Sequence, residues 1–127
     1  MKVEHIALYV RDLEGAREFF TRFFGAEAGE AYHNPRTGLK TYFLSFGDGA
    51  RVEIMSRPEM EDREKGLMRT GYIHLAFSAG SREAVDRLTE ELAGAGYEVL
   101  SGPRVTGDGY YESCVLGFAD NQIEITV

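Results

Sequence analysis

The most constraining feature of this chain is a phrase it uses twice. Residues 72–77 read Tyr-Ile-His-Leu-Ala-Phe, and residues 4–10 read Glu-His-Ile-Ala-Leu-Tyr-Val. Side chains alternate along a strand, so each copy sorts its residues onto two faces. Ile73, Leu75 and Phe77 lie opposite His74, Ala76 and Ser78; Ile6, Leu8 and Val10 lie opposite His5, Ala7 and Tyr9. Each copy thus predicts a buried strand with a histidine on its second face, followed two positions on by an alanine.

The repeat extends beyond the strands. His5 maps to His74, Asp12 to Ser81 and Gly25 to Gly94, all at an offset of 69. Asp12 and Ser81 are helix N-caps by chemistry, because their side-chain oxygens accept the free amide hydrogens of a first turn. Gly25 and Gly94 end the two helices as a C-terminal glycine does. Three landmarks at one offset indicate a duplicated unit. The predicted apolar stripes are Leu13, Ala16, Phe20, Phe23 and Phe24 in the first helix and Val85, Leu88, Leu92 and Ala95 in the second. After the first helix we expect a weak strand around residues 28–33, a Pro-Gly turn at 34–38, a strand at 41–46, a hairpin turn at 47–49 and a strand at 50–55. After the second we expect a strand at 97–100, a loop at 101–109, and strands at 110–118 and 122–127. The resulting fold class is α+β, two tandem βαβββ modules forming a cupped mixed β-sheet. The expected boundaries are module 1 at 1–58, a charged linker at 59–70 and module 2 at 71–127, within a single domain spanning 1–127.

Composition narrows the function. The net charge of −7 argues against a nucleic-acid surface, which needs a basic stripe. No apolar run is long enough to cross a membrane, and the first residues lack the order of a signal peptide. Cys114, the lone cysteine, fits a reducing compartment, so a cytoplasmic protein is the expectation.

Each module also carries a glutamate in its last strand. Glu53 follows His5 by 48 residues, and Glu124 follows His74 by 50. If duplication relates the modules by an approximate two-fold, His5, Glu53, His74 and Glu124 converge on one sheet face. Two imidazoles and two carboxylates suit one divalent transition metal ion, with nickel, cobalt, zinc, manganese and iron all compatible. Ala7 and Ala76 leave room for a ligand beside it.

The doubled module, with His-Ile-Ala-Leu-Tyr-Val-Arg-Asp-Leu at 5–13, Asn-Gln-Ile-Glu-Ile at 121–125 and the four residues above, resembles the vicinal oxygen chelate superfamily across essentially the whole chain. By ligand set it is most similar to glyoxalase I, the lactoylglutathione lyases. The resemblance implies proton transfer on a metal-chelated substrate with vicinal oxygens, such as a 2-oxoaldehyde–thiol hemithioacetal. It implies His5 and His74 as fixed ligands, Glu124 as the carboxylate that moves the proton, and Glu53 as its symmetric partner. It also implies a homodimer, with sites within a chain or across the interface; exposed edges of an eight-strand cup favour such pairing.

The chain departs from glyoxalase I at two positions. Tyr9 stands where an arginine commonly binds the glutathione carboxylate, and Met55 where an asparagine often holds glutathione, so the pocket is more apolar than one built for a charged tripeptide. Arg104, Tyr110 and Tyr111, in and beside a glycine-containing loop, are further candidates for binding the small-molecule substrate. Two alternatives remain on the same scaffold. One is a non-heme iron dioxygenase-like enzyme, which needs only two histidines and one glutamate. The other is a small-molecule binding protein of the antibiotic-resistance type without catalysis.

Overall fold

The computed structural model describes every residue except Lys65, Leu67 and Arg69, so part of the linker expected at 59–70 lies outside the described residues. The chain forms two compact units, Met1–Arg63 and Glu64–Val127.

In the first unit, β1 (His5–Tyr9) leads into α1 (Leu13–Phe24), followed by β2 (Glu27–Ala28), β3 (Tyr32–His33), β4 (Lys40–Ser45) and β5 (Arg51–Ser56). The sheet order is β1-β5-β4-β2, with β3 also on β4. Strands β1 and β5 are parallel, because α1 carries the chain across the sheet between them; the other pairings are antiparallel. The Asp12 carboxylate accepts from the Gly15 amide at 3.0 Å to start α1, and Gly25 ends it in the left-handed region at φ 63°. The single weak strand expected near 28–33 is two two-residue strands instead: the Gly29 amide still donates to the Phe43 carbonyl at 2.9 Å, and the ladder breaks at Glu30 and Ala31.

The core of this unit joins Ala16, Phe19 and Phe20 of α1 to Leu44, Val52 and Ile54 of the sheet. Ile54 is fully buried, which contributes about 1.5–3 kcal/mol over an exposed side chain. Phe19 is a correction to the expected stripe: it is buried, whereas Phe23 and Phe24 are only half-buried. They lie in the last turn of α1.

In the second unit, β6 (His74–Ser78) leads into α2 (Arg82–Gly94), then β7 (Glu98–Val105), β8 (Tyr111–Leu116), a single 3₁₀ turn at Phe118–Asp120, and β9 (Gln122–Thr126). The order β6-β9-β8-β7 repeats that of the first unit, again with a parallel pair, β6 with β9. The Ser81 hydroxyl accepts from the Ala84 amide at 3.2 Å. Val85, Thr89 and Leu92 of α2 are buried against Ser113, Val115, Ile123 and Ile125. Thr89 is the polar member of that face. Its hydroxyl bonds the Val85 carbonyl at 2.7 Å and the Ser113 hydroxyl at 2.6 Å, so neither hydroxyl is left without a partner.

Three expectations for this unit are corrected. Gly94 is the last helical residue and not the terminator; the left-handed glycine is Gly96, at φ 95°, and Ala95 is exposed. The strand expected at 97–100 runs on to Val105, because register shifts between Val99 and Arg104 take up Gly102 and Pro103 within the β7–β8 ladder. The loop shrinks to residues 106–110. Finally, β6 is half-exposed where a buried strand was expected: Leu75 and Phe77 are half-buried, and Ile73 lies outside the strand and is exposed.

Candidate functional site

Strand alternation puts His5, Ala7 and Tyr9 of β1 on the face away from α1, with Arg51, Glu53 and Met55 of β5 beside them. Ala7 lies opposite Glu53 in the register, so His5 reaches Glu53 over a residue too small to block it. His5 Nε2 stands 3.9 Å from Glu53 Oε2. The imidazole's other nitrogen, Nδ1, contacts Glu4 Oε2, and Glu4 in turn bonds Arg51. The His5 contact and then the Arg51 guanidinium hold the Glu4 carboxyl below the ordinary glutamate range. The buried Thr41 hydroxyl donates to Glu53 Oε1 at 2.9 Å. Phe43 meets the His5 ring edge-on, with centroids 5.4 Å apart.

The second unit builds the same pair. Ala76 lies opposite Glu124, and His74 Nε2 stands 3.6 Å from Glu124 Oε2. Its surroundings differ. Cys114 lies directly opposite Glu124 on β8, and Glu112, two residues earlier, shares that face. Arg104 Nη1 is 3.9 Å from Glu112 Oε1. Burial first, and then the charge of Glu124, push the Glu112 carboxyl above its ordinary range, against the pull of Arg104. Burial, Glu124 and Glu112 likewise raise the Cys114 thiol, which makes it a poor nucleophile.

The candidate substrate residues separate on this geometry. Tyr9 and Met55 are cross-strand neighbours on the His5–Glu53 face. Arg104 lies in β7, not in a loop, and shares a face with Glu112. Tyr110 is exposed in the turn before β8. Tyr111 faces the other way. Its hydroxyl donates to Asp86 of α2 at 2.6 Å, and Arg82 lies 4.9 Å over its ring, so it belongs to the helix side of the sheet. The odd-numbered residues of β8 all face that side, which removes Tyr111 from the face bearing Glu124. Sequence reasoning passed over Glu112 as a site residue, although its place two residues before Cys114, opposite buried Ser113, was a usable signal.

Two donors on one divalent ion, with bonds of about 2.1 Å, stand about 3–4 Å apart. Both His–Glu separations fall in that range, and imidazole with carboxylate is a fitting donor set. Among the described residues no group of three or more His, Cys, Asp or Glu side chains could hold a metal ion. The four expected residues are described as two pairs, one in each unit. No helix among the described residues is long and apolar enough to cross a membrane.

A family model for the Glyoxalase/Bleomycin resistance protein/Dioxygenase superfamily matches residues 2–125. The chain is 33% identical over 116 residues to uncharacterized protein YqjT of Bacillus subtilis, covering 86% of this chain and 85% of that one. It is 35% identical over 54 residues to the mitochondrial methylmalonyl-CoA epimerase of Bos taurus, covering 42% of this chain and 30% of the epimerase. Among solved structures, the trypanothione-dependent glyoxalase I of Leishmania major superposes with a TM-score of 0.79 at 16% identity, over 99% of this chain and 86% of that one. At that identity the likeness speaks for the fold.

Proposed function

Because the chain belongs to the glyoxalase/bleomycin resistance protein/dioxygenase superfamily, we propose that it is a metal-dependent lyase or isomerase of the glyoxalase type. It moves a proton on a small substrate with vicinal oxygens, such as a 2-oxoaldehyde–thiol hemithioacetal. The observation that carries this reading is the repeated pair, a histidine Nε2 facing a glutamate Oε2 at 3.9 Å in one unit and at 3.6 Å in the other. The ligands in this reading are His5, Glu53, His74 and Glu124, the set that the family resemblance implies, in a protein that pairs as a homodimer. A bound divalent ion would supply Lewis-acid stabilisation of the charge left on a substrate oxygen when a neighbouring carbon loses its proton.

The protein's own residues do the rest. His5 and His74 would hold the ion. Glu53, bonded by Thr41, is a fixed carboxylate, and Glu124 is the base that takes the proton and returns it to the adjacent carbon. Tyr9 and Met55 give the substrate a largely apolar wall beside Glu53. Arg104, which pairs with Glu112, attracts a substrate anion in this reading. Cys114, with its thiol held protonated, has no covalent role. The partial match to an epimerase is consistent with the same elementary step, since epimerisation beside a carbonyl is also a proton removal and return.

The test is a Glu124→Gln variant assayed with the metal-loaded wild type on hemithioacetals of several thiols. Loss of turnover by at least about 100-fold, with metal content retained, supports Glu124 as the base. Turnover equal to wild type would remove it from that role, and oxygen uptake with iron would favour the dioxygenase chemistry instead.

A further inference from the structure

The two His–Glu pairs share a register but not their support. In the first unit both members are held from behind. Glu4 takes the Nδ1 side of His5, which turns Nε2 toward Glu53. Arg51 bonds Glu4 and lies 4.2 Å over the ring of Phe43, whose edge contact steadies the imidazole plane. Thr41, only 4% exposed, occupies Glu53 Oε1, so Oε2 is the oxygen left to face His5.

The pairing register identifies the counterparts in the second unit. Glu112 stands against Thr126 as Thr41 stands against Met55. Cys114 stands against Glu124 as Phe43 does against Glu53, and Gln122 against His74 as Arg51 does against His5. The residue before His74 is Ile73. None of the four supports recurs. In the second unit an isoleucine holds the sequence position of Glu4, and a carboxyl group the register position of the Thr41 hydroxyl.

We propose that Glu4 and Thr41 are positioning residues that hold His5 and Glu53 ready to receive a divalent ion, whereas among the described residues His74 and Glu124 have no such supports. This rests on the metal-dependent reading above. Groups that orient a ligand from outside typically change metal affinity by 10–100-fold when removed. An imidazole and a carboxylate each held in one orientation have already lost the freedom that metal binding would otherwise take from them. The second pair must lose it on binding. The first pair therefore binds an ion at the smaller ordering cost.

The experiment is a calorimetric titration of the metal-free full chain with Ni²⁺ and with Co²⁺, for wild type, Glu4→Ala, Thr41→Val, Thr41→Ser and Ile73→Ala. Visible absorption of the Co²⁺ forms is recorded in parallel. We expect Glu4→Ala and Thr41→Val each to weaken binding by about 10–100-fold, with Thr41→Ser and Ile73→Ala within about threefold of wild type. The Co²⁺ bands should shift in Thr41→Val and return in Thr41→Ser, a recovery that a general packing defect would not give. Circular dichroism melts check folding, and if Thr41→Val fails to fold, the exposed Glu4 decides. Wild-type affinity in both Glu4→Ala and Thr41→Val would overturn the positioning roles while leaving the metal reading intact. A wild type that binds neither ion would overturn the metal reading, and this proposal with it.

Discussion

Gly102 is the position where one added carbon should do most damage, and the cost separates into two parts. At φ 82° an L side chain is strained, by about 1–2 kcal/mol. A Cβ there would also lie 2.5 Å from the Glu112 carbonyl oxygen and 2.9 Å from Ser113 Cα. Both are backbone atoms of β8, so relief requires parting β7 from β8, an overpacking cost of about 1–3 kcal/mol. Two other glycines isolate the components. Gly80 has nearly the same dihedral, φ 81°, with nothing within 4 Å of its Cβ position, so Gly80→Ala carries the strain alone. Gly107 has neither a positive φ nor a close neighbour. Gly107→Ala should be neutral, or stabilising by up to about 1 kcal/mol through a less disordered unfolded chain. The expected order of stability is Gly107→Ala, then Gly80→Ala about 1–2 kcal/mol lower, then Gly102→Ala about 1–3 kcal/mol lower again. Urea unfolding followed by far-ultraviolet circular dichroism measures all three. Gly102→Ala within about 0.5 kcal/mol of Gly80→Ala would refute the close approach of β7 to β8, and with it the placement of Arg104 beside Glu112.

Three further outcomes are expected. Asp12→Ala and Ser81→Ala should each cost about 1 kcal/mol in urea unfolding, since each removes a helix N-cap acceptor. Thr89→Val should cost about 1–3 kcal/mol by stranding the buried Ser113 hydroxyl, and adding Ser113→Ala should recover part of the loss. In metal-free protein, Glu112→Gln should be more stable than wild type at neutral pH. The folded-state pKa of Glu112 is raised, chiefly by burial and then by Glu124, so the native state holds this proton more tightly than the unfolded chain. Stability is lost as pH rises through that raised value, and the variant does not share the loss. Thermal melts should show the advantage closing as pH falls toward the ordinary glutamate range; an advantage that persists there would contradict it.

The sequence was most legible where one rule acted alone. Alternation in His5–Tyr9 and His74–Ser78 placed both histidines and both alanines on the correct face before any tertiary contact was known. Asp12 and Ser81 were readable as caps because that chemistry needs only a neighbouring amide. It failed where two rules competed. Gly102 and Pro103 carry turn chemistry, yet the ladder with β8 absorbs them through register shifts, which no local pattern reveals. Gly94 matched the offset of Gly25, but α2 is one residue longer than α1, and the terminating role passes to Gly96. Phe19 was missed because four phenylalanines in one helix exceed what one face can bury, and the sheet decides which two are taken. Tyr111 was assigned by its neighbours in the loop when strand parity alone, read from Cys114 back, turns it to Asp86 and brings Glu112 to the Glu124 face.

The most direct test of the account is elemental analysis of purified, untagged protein beside His5→Ala and Glu124→Ala. The account predicts about one divalent ion per site in the wild type and its loss in both variants, since one residue from each pair is removed. Absence of metal in the wild type, even after reconstitution with nickel, cobalt, zinc, manganese and iron in turn, would contradict it. The chain would then be a small-molecule binding protein that keeps the fold without metal chemistry.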